Sequence, residues 1–156
     1  MKDTPQVPTS GQVAAIHISR AHYEEMEHVE SARVIDDLGI EGDRYAIKRG
    51  LNRSKRQVLL MDRETLEELG LSPGTVRENI TTSGLDIYSL ASGQRVGIGP
   101  QVILEITEPC DPCERMDAIR PGLQAQLRGH RGMLTRVVRG GEFSVGDPLL
   151  VMEPPA

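Results

Sequence analysis

Cys110 and Cys113 are the only thiols in a chain of 156 residues, and they stand inside Glu108-Pro109-Cys110-Asp111-Pro112-Cys113-Glu114-Arg115-Met116. A cysteine reacts as its thiolate, either as a nucleophile or as a soft metal ligand. The surrounding sequence favours that form at Cys113. Asp111 reads as a helix N-cap, Pro112 as the first helical residue and Glu114 as the third, a capping-box arrangement. Cys113 then lies in a first helical turn, where unpaired N–H groups and the positive end of the helix favour negative charge. Arg115 and Arg120 push the same way. The plainer reading is a small buried apolar residue, which free cysteines commonly are. A C-x-x-C pair also suggests half a zinc site or a dithiol redox couple. Zinc takes four ligands; no second C-x-x-C exists, His17, His22 and His28 lie far upstream, and His130 stands alone. A thioredoxin-like pair would follow the first strand of a parallel α/β unit, whereas this one follows a late strand.

Two further stretches carry chemistry. Between Arg44 and Arg56 lie six basic residues (Arg44, Lys48, Arg49, Arg53, Lys55, Arg56) and no acid, in a chain whose net charge is −5. Such a reversal suggests an anion site, with arginine suited to bidentate phosphate contacts; the alternative is an exposed basic loop. Arg77-Glu78-Asn79-Ile80-Thr81-Thr82-Ser83-Gly84 packs charge, amide and hydroxyl groups into eight residues. It reads as a loop, or as short side chains and backbone N–H groups converging on a small polar ligand.

Short strands must place these groups. Val102, Leu104 and Ile106 alternate with Ile103, Glu105 and Thr107, the period of a strand, and Pro109 ends its pairing. Strands are also expected from Val13 to Ser19, Ala32 to Val34, Gln57 to Met61, Gln94 to Ile98, Met133 to Arg139 and Leu149 to Met152. Asp62 is placed to cap a helix running to Leu69, a second helical turn should end at Ile119, and a third should span Leu123 to Arg128. Residues 20–31 are polar and read as a loop or a short acidic helix. Gly99-Pro100 and Gly140-Gly141 read as hairpin turns. Sixteen glycines, ten prolines and a single phenylalanine, Phe143, favour many turns over long helices. The expected fold is therefore mainly β, a mostly antiparallel β-barrel with a few short helices at its mouth. One domain is expected over residues 12–152, with a flexible N-terminal tail over 1–11 and a C-terminal tail over 153–156. The acidic balance argues against nucleic-acid and anionic-membrane affinity. No run of about 18 apolar residues occurs, the first eleven residues lack a secretory apolar region, and two close cysteines cannot staple a fold. A cytoplasmic setting is expected.

Six motifs recur in order: Gly39-Ile40-Glu41-Gly42-Asp43-Arg44, Arg77-Glu78-Asn79-Ile80-Thr81-Thr82, Val96-Gly97-Ile98-Gly99, Glu108-Pro109-Cys110-Asp111-Pro112-Cys113, Gly132-Met133-Leu134-Thr135-Arg136-Val137 and Gly141 through Pro148. Together they resemble the MOSC domain family, named for the C-terminal domain of molybdenum-cofactor sulfurases, over roughly residues 12–152. The resemblance implies a mostly antiparallel β-barrel that binds the molybdenum cofactor and carries sulfur on a cysteine. The family's Pro-Cys falls on Pro112-Cys113, with Cys110 an accessory thiol. The family often has Gly-Glu-Asn where this chain has Arg77-Glu78-Asn79, which questions a backbone role for that glycine here.

On this resemblance the ligand is a pterin bearing a phosphate and a dithiolene-held molybdenum. Arg44, Arg53 and Arg56 are assigned to the phosphate, Arg77, Asn79 and Thr81 to the cofactor with Asn79 and Thr81 on the pterin, and Arg115 to negative charge on sulfur. Cys113 would ligate molybdenum or hold a persulfide. The chain has no room for a pyridoxal-phosphate desulfurase or iron–sulfur domain, so an external protein must donate sulfur or electrons. Three functions follow: reduction of N-hydroxylated substrates, a cofactor or sulfur carrier without turnover, and a dithiol redox protein using both cysteines.

Overall fold

The structure, a computed structural model, describes residues 9–21, 25–47 and 56–153. Among them the backbone is mainly β. Its strands are β1 (Ser10–Ile18), β2 (Glu27–Val29), β3 (Ser31–Ile35), β4 (Gly39–Ile40), β5 (Val58–Asp62), β6 (Ile80–Ser83), β7 (Arg95–Ile98), β8 (Val102–Pro109), β9 (Met133–Arg139), β10 (Gly141–Ser144) and β11 (Pro148–Val151). Short helices α1 (Arg44–Ile47), α2 (Arg63–Glu68), α3 (Arg115–Ile119) and α4 (Leu123–Gln126) connect them. Following the pairing β1–β11–β7–β8–β9–β5–β6 returns to β1, so seven strands close a barrel. Every pair in that ring is antiparallel except β5 with β6. Parallel neighbours need a crossover rather than a hairpin, and α2 provides it. Asp62 caps α2 as its sequence predicts, accepting the Thr65 N–H at 3.0 Å.

Alternation along the strands divides the apolar residues between two cores. Val58 and Leu60 of β5, Met133 and Val137 of β9, and Leu104 and Ile106 of β8 point into the barrel. Met61 points outward and joins Leu66, Val76, Met116, Leu123 and Leu127 in a second cluster. Leu66 of α2, Met116 of α3 and Leu123 of α4 thus share an apolar cluster with the outward side of β5, separate from the barrel interior.

Several elements differ from expectation. The stretch expected as a loop or acidic helix contains β2, which pairs with β1 through His17 and His28. Its charged residues face solvent on an edge strand, so no apolar alternation announces it. The polar run after Arg77 supplies β6, all four residues buried between β5 and β1. β1 begins at Ser10, which pairs with Leu150. Gly140-Gly141 does not close a tight hairpin with β9. Instead β10 leaves the barrel and pairs with β3 in a separate sheet, β10-β3-β4. A Cβ at Gly140 would run into the Val34 carbonyl, and its N–H bonds Asp36 Oδ1 at 2.6 Å, so the glycine serves this close passage. No helix among the described residues is long and apolar enough to cross a membrane.

Candidate functional site

The outward side chains that α2–α4 leave uncovered form the floor of a cavity of about 430 Å3. Leu59 and Leu134 are direct cross-strand partners on β5 and β9 and both line it. The walls come from the end of β1, the residues before and within α1, the segment leading into β6, and the cysteine segment between β8 and α3. Five guanidinium side chains (Arg44, Arg56, Arg77, Arg115 and Arg131) and two carboxylates (Asp43 and Asp111) line this space. A cleft dominated by one sign of charge focuses its field on whatever enters; an acidic protein has gathered arginine at one place.

Cys113 is exposed on this wall and Cys110 is half-buried beside it. The helix does not begin where the sequence suggests. Asp111, Pro112 and Cys113 belong to no helix or strand, α3 starts at Arg115, and its N-cap Glu114 makes no side-chain cap bond. The Cys113 carbonyl accepts the Met116 N–H at 3.0 Å, so the residue precedes the helix instead of sitting in its first turn. A five-residue helix has little dipole; access to a cationic wall, rather than the helix, distinguishes this sulfur. Arg120 is turned away, donating to the Leu69 carbonyl at 2.7 Å and Gln126 Oε1 at 2.8 Å. Burial pushes the Cys110 thiol up, and the nearby Arg131 and Arg56 charges pull it down less strongly.

The remaining predicted residues divide clearly. Arg44, Arg56, Arg77, Asn79 and Arg115 all line the cavity with Cys113. Arg53 lies outside the described residues. Thr81 is fully buried and donates its hydroxyl to Glu78 Oε2 at 2.8 Å; it does not line the cavity. Asn79 reaches the cavity, but its amide is engaged in the fold: Nδ2 donates to the His17 carbonyl at 3.2 Å and to Asp43 Oδ1 at 3.1 Å, while Oδ1 accepts from Leu59 N at 3.0 Å. It ties β1, β5 and the Asp43 segment together. Arg77 has φ +65°, so the chain keeps the left-handed turn at this place despite carrying a side chain. Its Nη2 donates to Ser19 Oγ at 2.9 Å.

The sequence gives no cue to a role for Asp43 or Ser19, whereas His130 and Arg131 read either as lining the mouth or as surface residues, and Arg131 alone of the two lines the cavity. Asp43 stands in a quoted motif, but only its neighbour Arg44 drew attention; it accepts the Ser19 N–H at 2.8 Å and orients Asn79. Arg131 is only 7% exposed. Its Nη2 donates to the Val76 carbonyl at 2.8 Å, and its Nε and Nη1 find no partner. Gly132 is the legible cue: it has φ +98°, and a Cβ there would collide with the Leu60 carbonyl, so the chain is drawn against β5 next to Arg131.

A MOSC domain family model matches residues 9–150. The chain belongs to the MOSC domain family. Among curated proteins, this MOSC chain is 28% identical over 86 residues to a protein named reductase from Gibberella moniliformis (strain M3125 / FGSC 7600), a match covering 53% of this chain and 15% of that protein. The YuaD protein from Bacillus subtilis has the same fold at 20% identity, with a TM-score of 0.74 over 94% of this chain and 97% of that one. YiiM from Geobacillus stearothermophilus superposes with a TM-score of 0.69 at 18% identity, covering 92% of this MOSC chain and 75% of its own. YiiM from Escherichia coli gives 0.67 at 20% identity, covering 93% and 71%.

Proposed function

We propose that this cavity binds a molybdenum pterin cofactor, with Cys113 as its sulfur ligand, and that the protein reduces N-hydroxylated compounds with electrons from a partner protein. The observation that carries this reading is the exposed Cys113 on one wall with five arginines. The donor set fits such a group. A thiol is a soft ligand suited to a thiophilic metal, guanidinium groups suit a phosphate, and the Leu59–Leu134 floor offers an apolar surface for a flat ring. A volume of about 430 Å3 lies within the range of small-molecule sites. When bound, the cofactor would supply the two-electron redox centre. The chain's own residues would bind and orient it: Arg44 and Arg56 at the phosphate, Arg77 and Arg115 as balancing charge, and Cys113 at the metal. Asn79 would act by holding β5 and the Asp43 segment in register. Thr81 would act through Glu78, and Arg53 belongs to the same basic stretch. The name reductase of the fungal relative supports the redox direction.

Metal and pterin analysis after expression in cells that make the cofactor tests this. Wild type should carry molybdenum and release a fluorescent pterin on denaturation. Cys113→Ser should lose the metal, and Cys110→Ser should keep it. Equal loss in both variants would favour the dithiol alternative. Wild-type protein free of metal and pterin would overturn the cofactor reading. The exposure of Cys113 then favours a sulfur carrier in a cytoplasmic setting, seen as one added sulfur in the intact mass and absent from Cys113→Ser.

A further inference from the structure

Arg131 is the least satisfied charged group among the described residues. Nine-tenths of it is buried, it shares the cavity wall with Cys110, and two of its guanidinium nitrogens have no hydrogen-bond partner. Buried donors left unpaired are costly, and evolved cores rarely keep them without a reason. Its position is nonetheless tightly fixed. The Tyr88 hydroxyl donates to Asp62 Oδ1 at 2.7 Å and accepts the N–H of Gly132, the next residue, at 3.1 Å. The Gly132 carbonyl in turn accepts the Cys110 N–H at 2.9 Å. One chain of hydrogen bonds thus runs from the cap of α2 through the residue after Arg131 to the cysteine segment. Glu78, a carboxyl that interacts electrostatically with Arg131, is fully buried and spends Oε2 on the Gly74 N–H and the Thr81 hydroxyl. Its Oε1 has no partner either, so Glu78 and Arg131 are neighbours that do not bond one another.

We propose that Arg131 is an oxyanion-holding residue at the Cys110 side of the cavity, kept there by Tyr88 through Gly132. Nε and Nη1 are donors for which the protein supplies no acceptor, on a residue that lines the cavity, and the planar fork selects a tetrahedral or trigonal oxyanion over a neutral ligand. The oxyanion is either the phosphate of a bound cofactor or a free substrate. The inference uses the same cavity as the proposed function but not the identity of the cofactor.

Cofactor-free protein titrated with inorganic phosphate by calorimetry tests it. Wild type should bind, and Arg131→Gln should bind at least tenfold more weakly with an unchanged far-UV spectrum. Should that variant fail to fold, Arg131→Lys carries the test: it keeps a charge but loses the fork, and affinity should still fall. Tyr88→Phe should weaken binding less, because the arginine remains while its anchor is lost. Equal affinity in wild type and the Arg131 variants, as expected if an internal water joined Glu78 to the guanidinium, overturns the proposal, as does no binding by wild type. Repeating the titration on cofactor-loaded protein separates the sources: lost binding identifies the cofactor's own phosphate, and retained binding a separate oxyanion. Arginine-dependent phosphate binding by a protein that never acquires pterin would end the cofactor reading and leave this one standing.

Discussion

Arg77 allows a backbone effect to be separated from a side-chain effect at the site. Its φ of +65° lies in the left-handed region, where a Cβ crowds the following carbonyl at a cost of about 1–2 kcal/mol. Glycine removes that cost but adds unfolded-state freedom, worth about 0.5–1 kcal/mol against alanine. Arg77→Gly and Arg77→Ala both delete the hydrogen bond to Ser19 Oγ, so it cancels between them. The difference of the two backbone effects leaves Arg77→Gly more stable than Arg77→Ala by about 0.75 kcal/mol at the middle of a range of roughly 0–1.5 kcal/mol. That is the reverse of the order at an ordinary helix or strand position, where alanine wins. Urea unfolding measures it, provided the two variants share one m-value so that the midpoints compare directly. Against wild type, Arg77→Ala should lose a further ~0.5–1.5 kcal/mol for the side-chain hydrogen bond. An alanine variant as stable as the glycine variant, or more so, would refute the assignment of strain to this residue. The chain would then hold arginine there at no backbone cost.

Other outcomes follow from the same network. Burial raises the Glu78 carboxyl above its ordinary 4.5, against weaker lowering by the Gly74 N–H, the Thr81 hydroxyl and Arg131. A raised native value means that its contribution is fully present below the unfolded pKa and is lost as pH rises through the native one; unfolding free energy of wild type relative to Glu78→Gln should fall on that rise, and a flat difference across the pH series would contradict it. Asn79→Ala leaves the Leu59 N–H without its acceptor and removes one of the donors to Asp43 Oδ1, and should cost about 2–3 kcal/mol in urea unfolding. Asn79→Asp should be worse still, since it turns a donor into an acceptor facing Asp43 and the His17 carbonyl; a milder effect than alanine would argue against the assigned amide orientation. Gly132→Ala meets both a left-handed φ and the Leu60 carbonyl, so thermal unfolding should show a large drop in midpoint, and a neutral result would mean the chain is free to move away from β5.

Some of this protein was fixed by local sequence. Asp62 and Thr65 cap α2 with atoms three residues apart, and the β7–β8 hairpin follows from alternating residues either side of Gly99-Pro100. β9 appears over Met133–Arg139 as its pattern predicts. Each depends on neighbours a few positions away, so periodicity and capping suffice. Closing the barrel, by contrast, depends on which strands meet. Nothing local says that polar Ile80–Ser83 becomes a buried strand, that Gly140-Gly141 sends β10 to β3, or that Glu27–Val29 adds to an edge. The site shows the same division. The residue types around Cys113 suggest anion and sulfur chemistry from the sequence alone, but helix α3 begins after the cysteine, and Arg131 is drawn into the wall by contacts far along the chain. Side-chain type and short-range spacing are written in the sequence itself; burial of a charge among partners 55 residues away exists only once the strands have paired, because only then is water removed from around it.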